Sequence, residues 1–207
     1  MKNLLILLYL LSFELSSAAQ SFKLGNYTWS SKNLDVTSFR NGDIIQEAKT
    51  DDEWAYAGEN KIPAYCFYNN DTTNKSAYGI LYNWYAIIDP RGLAPTGWHI
   101  ASDIEWSALI GQLGGSEIAG KKMKSKDLWF NNLNGTNSSA FSGYPGGVRY
   151  WWSDPSFNDK DYSTSWWSLS ENDVNTAFYY SLNYNRDDIL KGNESKKDGR
   201  YVRCVKD

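Results

Sequence analysis

The sequence predicts an α+β fold built from short strands, two or three short helices and long ordered loops. Three features predict this class. A capped helix begins at Ser102, the last third of the chain alternates apolar and polar residues as half-buried strands do, and the chain contains 10 Trp and 15 Tyr residues. Aromatic rings supply the packing area that short elements need. No linker or repeat divides the chain, so residues 20–207 are predicted to form a single domain.

The clearest element is the helix in the stretch LAPTGWHIASDIEWSAL, residues 93–109. Ser102 and Glu105 fit the reciprocal S-x-x-E capping box, in which each side chain accepts a backbone N–H of the other residue. The glycine pair at 114–115 ends the helix. Its apolar residues recur at helical spacing and predict one buried face, made of Trp106, Leu109, Ile110 and Leu113.

The first half of the chain is predicted to contain strands and two further helices. The predicted strands are 22–29, 34–39 and 62–68, and Asn41-Gly42 is a hairpin signal after the second of them. Thr50 and Glu53 form a second capping box, whose helix stops at Gly58. The segment 78–88 is apolar on nearly all sides, which predicts a buried helix.

The second half is predicted to consist mainly of strands and turns. The segment 121–126 is interpreted as a basic strand edge or loop. Three later segments, 165–170, 176–184 and 200–205, alternate apolar and polar side chains. This alternation predicts three closing strands with one buried face and one solvated face.

The first 19 residues have the order of a secretory signal peptide. Lys2 precedes an apolar run, residues 4–11, and Ser17-Ala18-Ala19 provides the small residues of a cleavage site. We therefore expect a mature chain that begins at Gln20 and is secreted. The apolar run is short for a membrane anchor, and no later segment resembles a membrane span. The predicted cleavage site has no cysteine, so a lipoprotein anchor is not expected.

The two cysteines, Cys66 and Cys204, lie far apart in the sequence. In an exported chain, an even cysteine count favours a disulfide between them over the alternative of two buried thiols. Their spacing excludes a C-x-x-C redox or zinc motif.

The charged and nucleophilic residues argue against several functions. The net charge is −3, from 21 basic and 24 acidic residues, and no basic face is visible, so nucleic acid is not an expected partner. His99 is the only histidine, which excludes a multi-histidine metal site, and its place between Trp98 and Ile100 favours a buried, hydrogen-bonded role over a catalytic one. We therefore predict a non-catalytic protein without a cofactor. Carboxylate-based glycoside hydrolysis stays open as an alternative because the chain has many acidic residues, although no spacing singles out two of them as a catalytic pair.

Two clusters are candidates for ligand binding. Trp151 and Trp152 could stack on the faces of sugar rings, and Glu171, Asn172 and Asp173 follow a second tryptophan pair and could accept hydrogen bonds from sugar hydroxyls. The alternative role for the tryptophans is packing in the core. The alternatives for the acidic cluster are a solvated turn and calcium ligation, with the turn favoured.

Eight stretches, in order, resemble the Fibrobacter major paralogous (FISUMP) domain. They are GNYTWSSKNL (25–34), FRNGD (39–43), YCFYNND (65–71), YGILYNWYA (78–86), LAPTGWHIASDIEW (93–106), FSGYPGGVR (141–149), WWSLSE (166–171) and VRCVKD (202–207). Ala101, Gly143-Tyr144 and Leu169 depart from the usual residues of the family, which indicates changes in packing. The family is similar to C-type lectin-like domains and to the formylglycine-generating-enzyme group. The resemblance implies a C-type lectin-like α+β fold with a twisted antiparallel sheet and a long irregular loop region.

The resemblance implies no known activity, because molecular function in this family is largely unassigned. Formylglycine-type enzymes use two closely placed cysteines near the end of the chain, and only Cys204 stands there. The Glu-Pro-Asn and Gln-Pro-Asp calcium signatures of sugar-binding C-type lectins are absent, so the resemblance does not imply a calcium site. We therefore predict a secreted binding module for an extracellular polysaccharide or cell-surface ligand. The alternative is a structural or surface-assembly protein that presents variable loops to a protein partner.

Overall fold

The computed structural model describes residues 21–152 and 156–207 and has a mixed α+β architecture. The predicted signal peptide, residues 1–19, lies outside the described residues. The strands are β1 (Ser21–Leu24), β2 (Tyr27–Ser30), β3 (Gln46–Glu47), β4 (Ala64–Cys66), β5 (Leu81–Tyr82), β6 (Trp98–Ile100), β7 (Gly146–Arg149), β8 (Phe157–Lys160), β9 (Ser163–Glu171), β10 (Thr176–Asn183), β11 (Leu190–Ser195) and β12 (Cys204–Lys206). The α-helices are α1 (Asp51–Glu59), α2 (Lys75–Tyr78), α3 (Trp84–Ile87), α4 (Asp103–Gln112) and α5 (Ser116–Met123). In this described part of the chain, no helix has the length and apolar character needed to cross a membrane.

The strands form three sheets. The first has the order β1-β2-β12-β6, the second β11-β10-β9-β7-β8, and the third β3-β4-β5. Most neighbours are antiparallel, and β3–β4 and β7–β9 pair in parallel. Val205 on β12 pairs with Trp29 on one side and His99 on the other, so the last strand lies between an early and a middle strand. The predicted α+β class is confirmed.

Helix α4 is the element that the sequence predicts best. The amide of Glu105 donates to Ser102 Oγ at 3.5 Å, and the amide of Ser102 donates to Glu105 Oε2 at 2.8 Å, so the predicted capping box is confirmed. Trp106 on the buried face stacks on Tyr180, with ring centres 4.8 Å apart. Trp106 also contacts Trp29 on β2, with ring centres 5.1 Å apart, so the helix connects the first sheet to strand β10 of the second.

The predicted buried helix over residues 78–88 is wrong in its secondary structure, although the segment is largely buried. Gly79 has a φ of 81°, which lies outside the helical region and ends α2. The chain then extends as β5, and Asn83 caps α3 by accepting a hydrogen bond from the amide of Ala86. In place of one long helix, residues 78–88 therefore contain the last residue of α2, strand β5 and the single turn of α3.

Other boundaries also differ from the predictions. The predicted strand 22–29 is a hairpin that turns at Gly25, whose φ is 58°. The segment 34–39 contains only an isolated bridge, between Ser38 and Ile44, although that bridge flanks the predicted turn. The basic segment 121–126 begins inside α5 rather than on a strand.

The predicted disulfide is also wrong, because Cys66 and Cys204 are both free and buried. Cys66 lies on β4 in the third sheet, whereas Cys204 lies on β12 in the first. They pack in two separate clusters of core side chains. Burial raises the pKa of Cys66 to about 11 and that of Cys204 to about 12, so both thiols are neutral at physiological pH.

Candidate functional site

The adjacent residues Trp151 and Trp152 lie in different environments. Trp151 is half-buried against the core, and Nζ of Lys197 lies 4.1 Å from its ring centre. Trp152 is 66% exposed, and its ring centre lies 5.6 Å from that of Tyr150. Trp152 therefore presents a ring to solvent with Tyr150 beside it. Tyr150 was not predicted as a site residue, and its signal in the sequence is the run Tyr-Trp-Trp.

The exposed ring is carried by a segment that leaves β7 at the buried Arg149. Nη2 of Arg149 donates to Asp51 Oδ1 at 2.7 Å and to the carbonyl of Thr50 at 2.9 Å. Its guanidinium carbon lies 4.7 Å from the ring centre of Trp54 and 4.6 Å from that of Phe157. These contacts fasten the end of β7 to the start of α1 and so fix the base of the segment.

The two sides of this segment are joined just beyond Arg149. The amide of Tyr150 donates to the carbonyl of Ser156 at 2.8 Å, and Oγ of Ser156 donates to Asp51 Oδ1 at 2.6 Å. The hydrogen bond from Ser156, together with the one from Arg149, holds the pKa of Asp51 below its ordinary value. An ionised carboxylate whose side chain is 68% exposed therefore lies at the base of the segment that carries Trp152.

A fully buried carboxylate lies behind Trp151. Oδ1 of Asp198 accepts a hydrogen bond from the amide of Trp151, and Oδ2 accepts one from Nη2 of Arg200, each at 3.2 Å. Burial raises the pKa of Asp198 to about 6, although Arg200 opposes the shift. This buried pair supports the backbone of Trp151 from inside the domain.

The predicted acidic cluster forms the turn between β9 and β10. Oδ1 of Asp173 accepts the amide N–H groups of Asn175 and Thr176, both at 2.8 Å, and Nδ2 of Asn172 donates to Oγ1 of Thr176 at 2.9 Å. These bonds occupy the side chains in shaping the turn, as the favoured alternative for this cluster predicts. Within residues 21–152 and 156–207, no group of three His, Cys, Asp or Glu side chains is placed to hold a metal ion.

Glu171 forms an ion pair with the buried Lys196. Nζ of Lys196 also lies 4.7 Å from the ring centre of Trp84. Because Lys197 contacts Trp151, the two predicted clusters are connected indirectly through neighbouring lysines. Trp152 and Glu171 thus have different partners, Tyr150 and Lys196 respectively.

His99 is hydrogen-bonded, as predicted, but its side chain is 40% exposed rather than buried. Its Nδ1 lies 2.7 Å from Oδ1 of Asp207, and its Nε2 lies 2.6 Å from Oε1 of Glu105. Both ring nitrogens are therefore engaged by carboxylates.

A cleft of about 450 Å³ was not predicted from the sequence. We call it the Arg203 cleft, and its lining includes Arg203, Asn33, Tyr78, Ser142 and Tyr144. These residues come from four of the stretches that resemble the FISUMP domain: 25–34, 78–86, 141–149 and 202–207. The recurrence of polar residues in those stretches is the only signal that the sequence offered.

Comparison with protein families identifies the described part of the chain. The model of the Fibrobacter succinogenes major domain matches residues 22–206. No curated protein and no solved structure matches the chain. Because the family model covers nearly every described residue, the chain belongs to the Fibrobacter succinogenes major domain family.

Proposed function

We propose that this domain is a secreted, non-catalytic binding module that takes an extracellular polysaccharide on the surface formed by Trp152 and Tyr150. One observation carries the proposal. Of the ten tryptophans, seven are buried and two are half-buried, and Trp152 alone is exposed. Exposing a large aromatic ring to water gives up the free energy of burial, and the adjoining ring of Tyr150 makes Trp152 part of an aromatic patch, which supports contact with a ligand.

The chemistry around Trp152 suits a sugar. A pyranose ring has an apolar face that stacks on an aromatic ring, and its hydroxyls need hydrogen-bond acceptors nearby. Tyr150 extends the aromatic surface, and the exposed carboxylate of Asp51 is held at the base of the same segment by Ser156 and Arg149. The fixed base limits the ordering that binding would otherwise require.

The non-catalytic part of the proposal rests on how the reactive side chains are occupied. Both ring nitrogens of His99 bond to carboxylates. Burial raises the pKa of the thiols of Cys66 and Cys204, which disfavours the nucleophilic thiolate. These residues fit structural roles.

The finer fold assignment and the export of the chain belong to the same proposal. Mainly antiparallel sheets, short helices and long irregular loops are consistent with a C-type lectin-like arrangement. The order of residues 1–19 supports cleavage after Ala19. N-terminal sequencing of secreted protein should find Gln20, and an intact Met1 would contradict export by cleavage.

A glycan array with the mature protein, with and without calcium, tests the function directly. We expect a specific polysaccharide signal in both conditions, and no signal on any glycan would favour the surface-assembly alternative. Trp152→Ala should then keep the fold and weaken binding of the glycan found by roughly 1 to 3 kcal/mol, the scale of one stacking ring.

Two further variants serve as controls. Trp151→Ala removes a half-buried ring and should lower stability. Ile104→Ala changes a residue that is 75% exposed on α4 and should leave binding unchanged. Glycan binding by Trp152→Ala equal to that of the unmodified domain would refute the proposed surface.

A further inference from the structure

We infer that the Arg203 cleft is a second ligand site, which binds the carboxylate of an acidic sugar unit such as a hexuronate. This goes beyond the proposed function, because none of the residues that line the cleft belongs to the surface formed by Trp152 and Tyr150. The inference rests on an unusual buried cation, on the charges at the rim and on an adjoining groove.

Arg203 is a buried cation without an anionic partner. The two other fully buried arginines, Arg149 and Arg200, each form an ion pair with an aspartate. Arg203 is 1% exposed and forms no ion pair within residues 21–152 and 156–207. Its contacts are to neutral groups, because Nε donates to Asn33 Oδ1 at 2.7 Å and Nη2 donates to the carbonyl of Ser142 at 3.1 Å.

A buried charge without an anionic partner is costly. The ring of Phe141, whose centre lies 4.2 Å from the guanidinium carbon of Arg203, offsets part of that cost, and a bound anion would offset more. Burial lowers the pKa of Arg203 to about 9, so the guanidinium still carries its charge at neutral pH. Three of its bonds have protein acceptors, the third going from Nη1 to the carbonyl of Ser30 at 2.9 Å. A guanidinium has five N–H donors, so two of them have no acceptor within residues 21–152 and 156–207. Because Arg203 is surrounded by protein of low dielectric constant, its positive charge attracts an anion in the cleft more strongly than it would in water.

The rim adds to the positive charge of the floor. Lys32 and Lys75 line the cleft together with Asp35 and Asp127. With Arg203, the lining therefore carries three positive and two negative charges, a net charge of +1. This balance favours a single carboxylate over a multiply charged phosphate.

The polar groups and the size of the cleft suit a hydroxylated ligand. Ser31, Ser76 and Tyr144 provide hydroxyl groups in the lining. The volume of about 450 Å³ falls within the range of small-molecule sites, roughly 300 to 1,000 Å³. An acidic sugar would use both the charge and the hydroxyls, whereas a simple anion would use only the charge.

An adjoining groove gives room for a second sugar unit. This groove, of about 200 Å³, shares Lys32, Asn33 and Asp35 with the Arg203 cleft and extends to the half-buried ring of Trp98. The stretch around Asn33 thus forms a common wall of both depressions. A disaccharide or longer chain could place its carboxylate over Arg203 and its next ring against Trp98.

Calorimetric titration of the whole domain with digalacturonate, and with the methyl ester of the same disaccharide, tests the inference. We expect binding of the free acid and little or no binding of the ester, which keeps the hydroxyls and removes the charge. Lys32→Gln and Lys75→Gln should each weaken binding of digalacturonate by about 2- to 5-fold, the size of one exposed charge interaction. Asp35→Asn should strengthen it by a similar factor. These rim variants avoid replacing Arg203, whose loss could unfold the domain.

Lys23→Gln is the matched control, because it changes the net charge equally at an exposed residue of β1 that does not line the cleft. Equal binding of acid and ester, or equal weakening by Lys23→Gln, would overturn the inference. Inorganic phosphate that binds the cleft as tightly as digalacturonate would also overturn it, because the site would then recognise anions without recognising sugar. Trp152→Ala should leave digalacturonate binding unchanged, so the two proposed sites can fail separately.

Discussion

Nε2 of His99 lies 2.6 Å from Oε1 of Glu105, the carboxylate whose other oxygen caps helix α4. The opposite ring nitrogen lies 2.7 Å from Oδ1 of Asp207. The imidazole therefore connects β6, the start of α4 and the end of the chain. Since Ser102 Oγ also donates to Glu105, at 2.7 Å, the cap and the histidine share one carboxylate.

This contact predicts that the domain loses stability as the pH rises past neutrality. Burial disfavours the imidazolium, but the hydrogen bonds to Asp207 and Glu105 outweigh it and raise the pKa of His99 above 6.5. The stabilisation is thus complete below pH 6.5 and is lost as the pH rises through the raised value. Because the pair is partly exposed, we expect at most about 1 kcal/mol. Urea denaturation across this range should show the loss, and His99→Gln should abolish it; an unchanged pH dependence in that variant would contradict the assignment.

The capping box predicts a modest loss of stability for Ser102→Ala. The variant removes the acceptor for the amide of Glu105, and it also removes a donor to the Glu105 carboxylate. An N-cap residue of this kind contributes on the order of 1 kcal/mol. Thr50→Ala at the start of α1 is a matched comparison, because Thr50 accepts the amide of Glu53 at 3.1 Å. Denaturation midpoints would measure both, and no loss in Ser102→Ala would show that the cap is energetically silent.

Elements of the fold could be predicted from the sequence where they depend on residues that lie close together in the chain. The start of α4 depends on residues three positions apart, and the turn at Gly42, with a φ of 95°, depends on one dipeptide. Strands β9 and β10 were predicted from alternating apolar and polar residues, but residues 164–168 of β9 are all buried, so the predicted solvated face is wrong for that part of the strand. Strand β11 was missed because it is an exposed edge strand, LKGNES, which carries no apolar alternation.

Features that depend on distant residues could not be predicted. Asn33 and Arg203 are separated by 170 positions, and only the fold brings them together in the cleft. The apolar segment 78–88 is buried by surrounding elements, so its composition could not separate a helix from a strand between two helical turns. The expected export of the chain and its even cysteine count likewise do not indicate which sheets hold Cys66 and Cys204.

The separation of the cysteines predicts two titratable thiols. In protein purified without reductant, a thiol reagent should find none accessible under native conditions and two after denaturation. The reason is burial, which also raises both pKa values. Finding no thiols after denaturation would restore the disulfide that the sequence favoured.

We expect a large loss of stability when the single charged side chain of Lys124 is replaced. Its Nζ donates to the carbonyls of Asn183, Tyr184 and Arg186 at 3.2, 3.1 and 2.7 Å, and the residue is 2% exposed. Lys124→Met would fill similar space and leave the three acceptors without this donor. We expect a loss of about 3 kcal/mol in the free energy of unfolding. Lys126→Met, at an exposed neighbouring position, should change it by less than about 0.5 kcal/mol, and equal stability of the two variants would contradict this role.

Asp198 predicts a second pH dependence, in a lower range than that of His99. Its pKa is about 6 in the folded domain because burial disfavours the carboxylate, whereas the ordinary value is 3.8. Between these two values the folded state binds more protons than the unfolded state, so this group makes stability fall as the pH rises from about 4 to about 6. Above pH 6 the loss is complete. A shift of roughly two pKa units corresponds to about 3 kcal/mol, an upper bound for a site paired with Arg200.

Asp198→Asn should separate this effect from the others. The amide keeps an acceptor for the N–H of Trp151 and removes the titration, so the fall in stability between about pH 4 and pH 6 should become smaller by the contribution of this group. His99→Gln serves as the control, since its effect lies above that range. In urea denaturation, Asp198→Asn should therefore change the pH dependence of stability between about pH 4 and pH 6, and His99→Gln should change it only above that range. If Asp198→Asn and the unmodified domain lost stability equally between pH 4 and pH 6, the buried carboxylate would have to be ionised throughout, and the Arg200 pair would outweigh the cost of burial.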